Sequence, residues 1–272
     1  MDRRLAFRLE PASPPSVEVD GEIRYGRSDA VPSRLEEPPT GVATVVVLAS
    51  PNANETGRSL AALSAAQPAG VHVVVVADGV EPPTTDASQE VVRTSAPLGR
   101  GAALNIGIRR AAASVVIVLD PSIVPVGDVI TPLVDRLRDP SVAIAGPVGL
   151  ASTDLRHFEE VVPTTAALEV AAIQGELMAF RRADAAARGP VDEAFRFYRS
   201  LDAWWSLVLR DEGEDRPPRR AVAIPGIELE RGEPAAWRSA SEKDRDRLSR
   251  RNAYRVLDRF RTRLDLAVPP GG

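Results

Sequence analysis

The sequence predicts an α/β fold, a mostly parallel, Rossmann-like sheet with helices on both faces. Three observations predict it. Continuous apolar, β-branched runs at Thr44–Ala49, Val71–Ala77, Ser114–Leu119 and Val142–Val148 lack alternation, which is how strands buried on both faces read. Segments of helical spacing separate them at Glu55–Ala66, Gly101–Ala113 and Asp128–Arg138. Two of the strands end on acidic turns, Asp78-Gly79 and Asp120-Pro121, and ligands of open parallel sheets sit beyond the carboxyl ends of the strands.

Before this unit, residues 1–40 are rich in proline and charge. Within them Val17–Tyr25 alternates around Asp20-Gly21, a hairpin turn pair, so the segment reads as a small N-terminal appendage ending at Pro38-Pro39. The regular domain is expected over 41–264. Residues 41–150 form its first half, with Val91–Thr94 as a short further strand. Residues 151–264 form its second half. There Ala167–Phe180 reads as one strand, Arg181–Arg188 and Leu201–Leu209 as helices, Ala221–Ile224 as a strand and Ser241–Arg263 as a long amphipathic helix. Residues 265–272 read as a flexible Pro/Gly tail.

Composition removes several function classes. The 272 residues carry a formal charge of −4, with a pI near 5.4, so no basic footprint for nucleic acid is expected. Without cysteine there is no disulfide, zinc-thiolate site or thiol catalysis, and two histidines are too few for a His-rich metal site. His72 reads as a strand residue and His157 as a loop residue. No apolar stretch reaches the roughly 18–20 residues that cross a bilayer. Met1–Glu10 lacks the apolar core of a signal peptide. A soluble cytoplasmic protein is the expectation, with the oligomeric state open and a homodimer among the options.

Four short stretches then line up in order: Asp78-Gly79-Val80; Leu98-Gly99-Arg100-Gly101 leading to Asn105 and Gly107; Leu119-Asp120-Pro121-Ser122; and Gln174–Arg182, followed by Gly189–Glu193 and Leu201-Asp202. Together with Arg251–Tyr254 they resemble the family-2 glycosyltransferases of GT-A fold over roughly residues 44–262. The resemblance implies an inverting hexosyltransferase-like enzyme that moves a sugar from a UDP-, GDP- or dTDP-linked donor to the hydroxyl of an unidentified sugar or glycoconjugate, with residues 41–150 as the nucleotide-binding half and 151–264 as the acceptor-binding half. Such a reaction needs a nucleotide clamp, a counter-charge for the leaving diphosphate and a base for the acceptor hydroxyl.

The resemblance implies a role at each matching position. Asp78 would hold the base or ribose, with a common Asp-Gly turn as the alternative. Arg100 would face the diphosphate and Asn105 would project from the next helix, with close packing by small residues as the alternative. Ala49 and Ser50 would offer backbone contacts to the nucleobase, and Gly175 would belong to the donor site. Asp120 stands where the family has an Asp-x-Asp pair for Mg²⁺ or Mn²⁺. With Pro121-Ser122 following, one carboxylate is lost and Ser122 offers only a neutral oxygen. Asp202 would be the base, with an N-cap as the plainer reading. Trp204 and Trp205 would stack on the acceptor, unless they are core. No histidine occurs in Ile227–Gly232, where relatives add one; Glu228 and Glu230 stand there instead. Two other readings compete: a non-catalytic or metal-independent nucleotide-sugar-binding protein, favoured by the lost metal-site residues, and a nucleotidyltransferase, disfavoured because Leu48–Asn54 has no Lys-bearing glycine loop.

Overall fold

The protein is described from a computed structural model, which covers residues 14–86 and 88–270. Met1–Glu10, read above for a leader, and the last two residues of the expected tail lie outside the described residues. The first half contains β1 (Ser16–Val19), β2 (Glu22–Tyr25), β3 (Ala43–Leu48), α1 (Ala53–Ala66), β4 (Val71–Asp78), β5 (Gln89–Thr94), α2 (Arg100–Arg110), β6 (Val115–Leu119), β7 (Ile123–Val126), α3 (Ile130–Arg136) and β8 (Val142–Gly146). The second half adds β9 (Gly149–Ala151), β10 (Glu159–Val161), β11 (Leu168–Val170), β12 (Ala172–Ile173), β13 (Leu177–Arg181), α4 (Arg182–Arg188), α5 (Leu201–Arg210), β14 (Arg220–Ala223), β15 (Glu228–Arg231), α6 (Ala235–Ser239) and α7 (Glu242–Phe260).

Ten strands form one mixed sheet in the order β11-β14-β8-β13-β6-β3-β4-β5-β1-β2. The pairings β3–β4, β3–β6, β4–β5 and β8–β14 are parallel. β13 runs against both of its neighbours, β6 and β8. The valine-rich strands are buried on both faces because helices cover both. Val46, Val74 and Val118 pack with Leu104 and Ile106 of α2, within a core cluster that also takes in Trp205 of α5 and Phe260 of α7. Val45, Val75 and Ile117 pack with Leu60 and Leu63 of α1 and Leu133 of α3. α2 lies hard on β3 because Gly107 has no Cβ, which would stand 2.1 Å from Val46 Cγ1.

Three expectations need correction. The N-terminal hairpin is not an appendage. It turns through Asp20 and Gly21 at φ 54° and 77°, as the two-residue turn requires, and β1 pairs with β5, burying Val17 and Val19. Ala167–Phe180 is not one strand; it breaks at Gln174-Gly175-Glu176, so that β12 and β13 join different sheets. The segment read as a free tail is packed down through Val268. Leu266 is fully buried, its carbonyl accepts from Arg210 Nη1 at 2.7 Å, and Ser152 N donates to the Val268 carbonyl at 2.7 Å. β9, β10 and β12 form a small separate sheet, and β7 pairs with β15. Among the described residues no helix is long and apolar enough to cross a membrane.

Candidate active site

A cavity of about 350 Å³ opens at the rim where β6 ends. Its wall includes Arg100, Asp120, Gly175, Glu176, Arg199 and Asp202. The reversed strand is what assembles it. β13 begins at the rim where the parallel strands finish, and its register, Leu177 opposite Leu119, sets Glu176 beside Asp120. The Asp120 amide donates to the Glu176 carbonyl at 2.8 Å.

Asp202 lies in the first turn of α5, two residues after Ser200, which enters the helix at φ 64° and makes no side-chain cap. The carboxylate is therefore not the N-cap. It accepts from the Gly175 amide at 2.9 Å and from the Ala203 amide at 2.9 Å. Burial pushes its carboxyl above the usual range, opposed by those amides and by the nearby Arg199 guanidinium. A carboxyl group raised in this way is a stronger base once ionised. Gly175 is required for the approach, since a Cβ there would stand 3.0 Å from Asp202 Cβ.

Asp120 is buried and its two oxygens are already engaged. Oδ2 receives Arg100 Nη2 at 2.5 Å and Oδ1 accepts from the Ser122 amide at 3.0 Å. Ser122 is also buried, and its Oγ has no hydrogen-bond partner. Among the described residues no group of three or more His, Asp or Glu gathers in a metal-binding arrangement. One carboxylate, paired with a guanidinium and backed by one hydroxyl, is not the oxygen-rich donor set that Mg²⁺ or Mn²⁺ needs. The residues expected to hold a cation do not fit that task by themselves.

The loop before α2 explains Asp78. Its Oδ1 accepts from the Leu98 amide at 2.7 Å and lies 2.8 Å from Thr94 Oγ1, while Oδ2 accepts from the Gly99 amide at 2.9 Å. Asp78 thus ties down the loop that presents Arg100, and it does not line the cavity. Neither do Ala49 and Ser50; Ser50 is buried, with Oγ donating to Glu55 at 2.6 Å. Asn105 departs from the expected ligand role. Its amide is locked to the Val191 backbone by bonds of 2.8 and 2.9 Å inside the protein. Trp204 and Trp205 are core, not acceptor platform: they are 5% and 0% exposed and pack on Phe195 and Phe180. The aromatic side chains in the cavity wall are Phe158 and Tyr198, the latter backed by Trp237.

The sequence reading missed Glu176, Arg231 and Arg199. Glu176 is raised by burial against the pull of Arg231, with Asp120 and Glu160 adding to the rise. Arg231 reaches in from β15 to Glu176 and Glu160, both at 2.7 Å, from the stretch where a histidine was sought; Glu228 and Glu230 beside it stay exposed. Position next to Gly175 was the available signal for Glu176. An arginine among thirty-four basic residues carried none.

A parallel-stranded sheet, a reversed strand completing its rim, and acids and arginines converging there define the GT-A class of glycosyltransferase folds. The sequence profile described as "Glycosyltransferase like family 2" matches residues 38–190, and the chain belongs to that family. Solved structures agree on the fold. GalNAc-T7, solved with UDP, GalNAc and Mn²⁺, superposes with a TM-score of 0.64 at 15% identity, over 80% of this chain and 48% of that one. The mannosyltransferase PcManGT from Pyrobaculum calidifontis, solved with GDP-Man and Mn²⁺, superposes with a TM-score of 0.58 at 18% identity, over 87% and 70%. The chain therefore spans about half the length of the GalNAc-T7 chain. No curated protein sequence matches it.

Proposed function

We propose that the protein is an inverting hexosyltransferase using a nucleotide-diphospho-sugar donor and an acceptor hydroxyl. The observation that carries this reading is Asp202, raised by burial and facing the same cavity as the Arg100–Asp120 pair. Asp202 takes the proton from the acceptor hydroxyl as its oxygen bonds to the anomeric carbon. The bond from that carbon to the diphosphate breaks on the opposite face, and its electron pair leaves with the nucleoside diphosphate. The transition state has oxocarbenium character, and charge grows on the departing oxygen.

Arg100 supplies the positive charge for that oxygen, sharing its guanidinium between Asp120 and the diphosphate. Both structural neighbours were solved with Mn²⁺, one with UDP and the other with GDP-Man. In this chain the donor set around Asp120 supports a guanidinium in the place of a tightly held cation.

The test is donor turnover across a panel of nucleotide sugars with Mn²⁺, with Mg²⁺ and with chelator. Turnover that survives chelator and falls about 10²- to 10⁴-fold in Asp202→Asn, with nucleotide affinity kept, is the expected result. Nucleotide binding without any turnover by the unaltered protein would make it a binding protein instead. Turnover abolished by chelator would return the diphosphate charge to a metal.

A further inference from the structure

Beside the cavity runs a second hollow, of about 460 Å³, whose wall is dominated by arginine. α7 supplies Arg251, Tyr254, Arg255 and Asp258, with Arg261 just past its end, spaced three or four residues apart and therefore on one helical face. The opposite face of α7 is anchored in the core by Val256 and Phe260, while Asn252 donates to the carbonyls of Phe197 and Arg199 at 2.9 and 2.8 Å. Arg156 lines both this hollow and the catalytic cavity, so the two adjoin.

Arg156 is held at the junction by a strained loop. Leu155, just before it, is buried at φ 57°, an uncommon backbone state for a leucine. Its amide donates to Ser152 Oγ at 2.9 Å, and Asp154 Oδ1 accepts from the Arg156 and His157 amides at 2.8 and 2.9 Å. Among the described residues Arg156, Arg251 and Arg261 have no carboxylate within salt-bridge distance, and Arg255 pairs with Asp192 at 2.9 Å. The chain as a whole is acidic at −4, so four guanidiniums against one lining carboxylate are a local concentration of charge, not a general property of its surface.

We propose that this hollow is an anion subsite that binds a phosphate group carried by the acceptor. Several guanidinium forks lining one hollow suit phosphate oxygens, and its position next to the cavity at Arg156 would leave the acceptor's hydroxyl toward Asp202. The assignment to the acceptor rests on the reading of the neighbouring cavity as a sugar-transfer site.

The experiment is calorimetric titration of glycerol 3-phosphate, and of glycerol as the uncharged control, into protein already saturated with nucleoside diphosphate. Co-sedimentation with phosphatidylcholine vesicles, with and without phosphatidic acid, tells a lipid headgroup from a soluble phosphate. The unaltered protein should bind glycerol 3-phosphate or the acidic vesicles, but neither glycerol nor neutral vesicles. Arg251→Ala with Arg261→Ala should weaken that binding at least about tenfold. Arg138→Ala, on a distant exposed arginine, should not. Circular dichroism and nucleoside diphosphate affinity confirm the fold of each variant. Equal binding by the double variant, equal binding of glycerol, or no binding of either phosphate source would overturn the subsite. Phosphate binding in a protein that never turns over donor would keep the subsite and sink the sugar-transfer reading. Turnover without phosphate binding would do the reverse.

Discussion

Asp202 is an expensive side chain to keep. Because burial raises its carboxyl, the ionised form is less favourable in the folded protein than in the unfolded one, and at neutral pH it weakens the fold. The same property makes it useful as a base. Arg199 pulls in the opposite direction, so Arg199→Ala should raise the Asp202 carboxyl further. The acid limb of the turnover profile should then move to higher pH, and an unmoved limb would remove Arg199 from the site's electrostatics. Gly175→Ala tests geometry without touching charge. The added methyl meets Asp202 Cβ, and turnover should drop about tenfold to a hundredfold while the melting transition moves little. Asp120, Asp202, Arg100 and Gly175 were legible in sequence because each sits in a short motif at the end of a strand or the start of a helix. Trp204 and Trp205 misled, yet the sequence held the warning. Leu201–Leu209 is apolar on nearly every side, and such a helix is buried all round.

The central strands β3, β4, β6 and β8 could be read because burial on both faces leaves a continuous apolar run. Strand direction could not, since neither periodicity nor composition records whether a strand enters from the top or the bottom of a sheet. That is why β13 was hidden inside one long apolar stretch. β7 and β15 were missed because each has only four residues, one with a proline and the other mostly charged. The hairpin shows how distant elements are tied. Arg110 at the end of α2 bonds Glu90 of β5 and, at 2.8 Å, Asp20 in the β1–β2 turn, while Arg34 and His72 also reach Glu90. Against burial, which pushes it up, these partners hold the Glu90 carboxyl down at about 2, below its ordinary 4.5. Its contribution is therefore complete above pH 4.5 and is lost as pH falls toward 2. Glu90→Gln should cost about 3 kcal/mol at pH 7 by leaving Arg110 short of a counter-charge. Its stability should also fall less steeply than that of the unaltered protein between those pH values. Urea melts at a series of pH values measure both effects.

Across the molecule, residues 41–150 and 151–264 were expected as nucleotide-binding and acceptor-binding halves. Function can still divide that way, with Arg100 from one and Asp202 from the other. Mechanically the division is blurred, because β13 belongs to the second half and is hydrogen-bonded on one flank to β6 of the first. Native-state amide exchange should find Ala179 and Phe180, which pair on both flanks, among the slowest positions, opening only with global unfolding. Calorimetry should show one transition; two resolved transitions would restore the halves as independent units. A strand laced in along both sides cannot peel away with either neighbour alone. The crevice it helps to build should therefore keep its shape up to the temperature at which the whole sheet gives way, and partial loosening elsewhere, even of the hairpin edge, should leave sugar chemistry undisturbed.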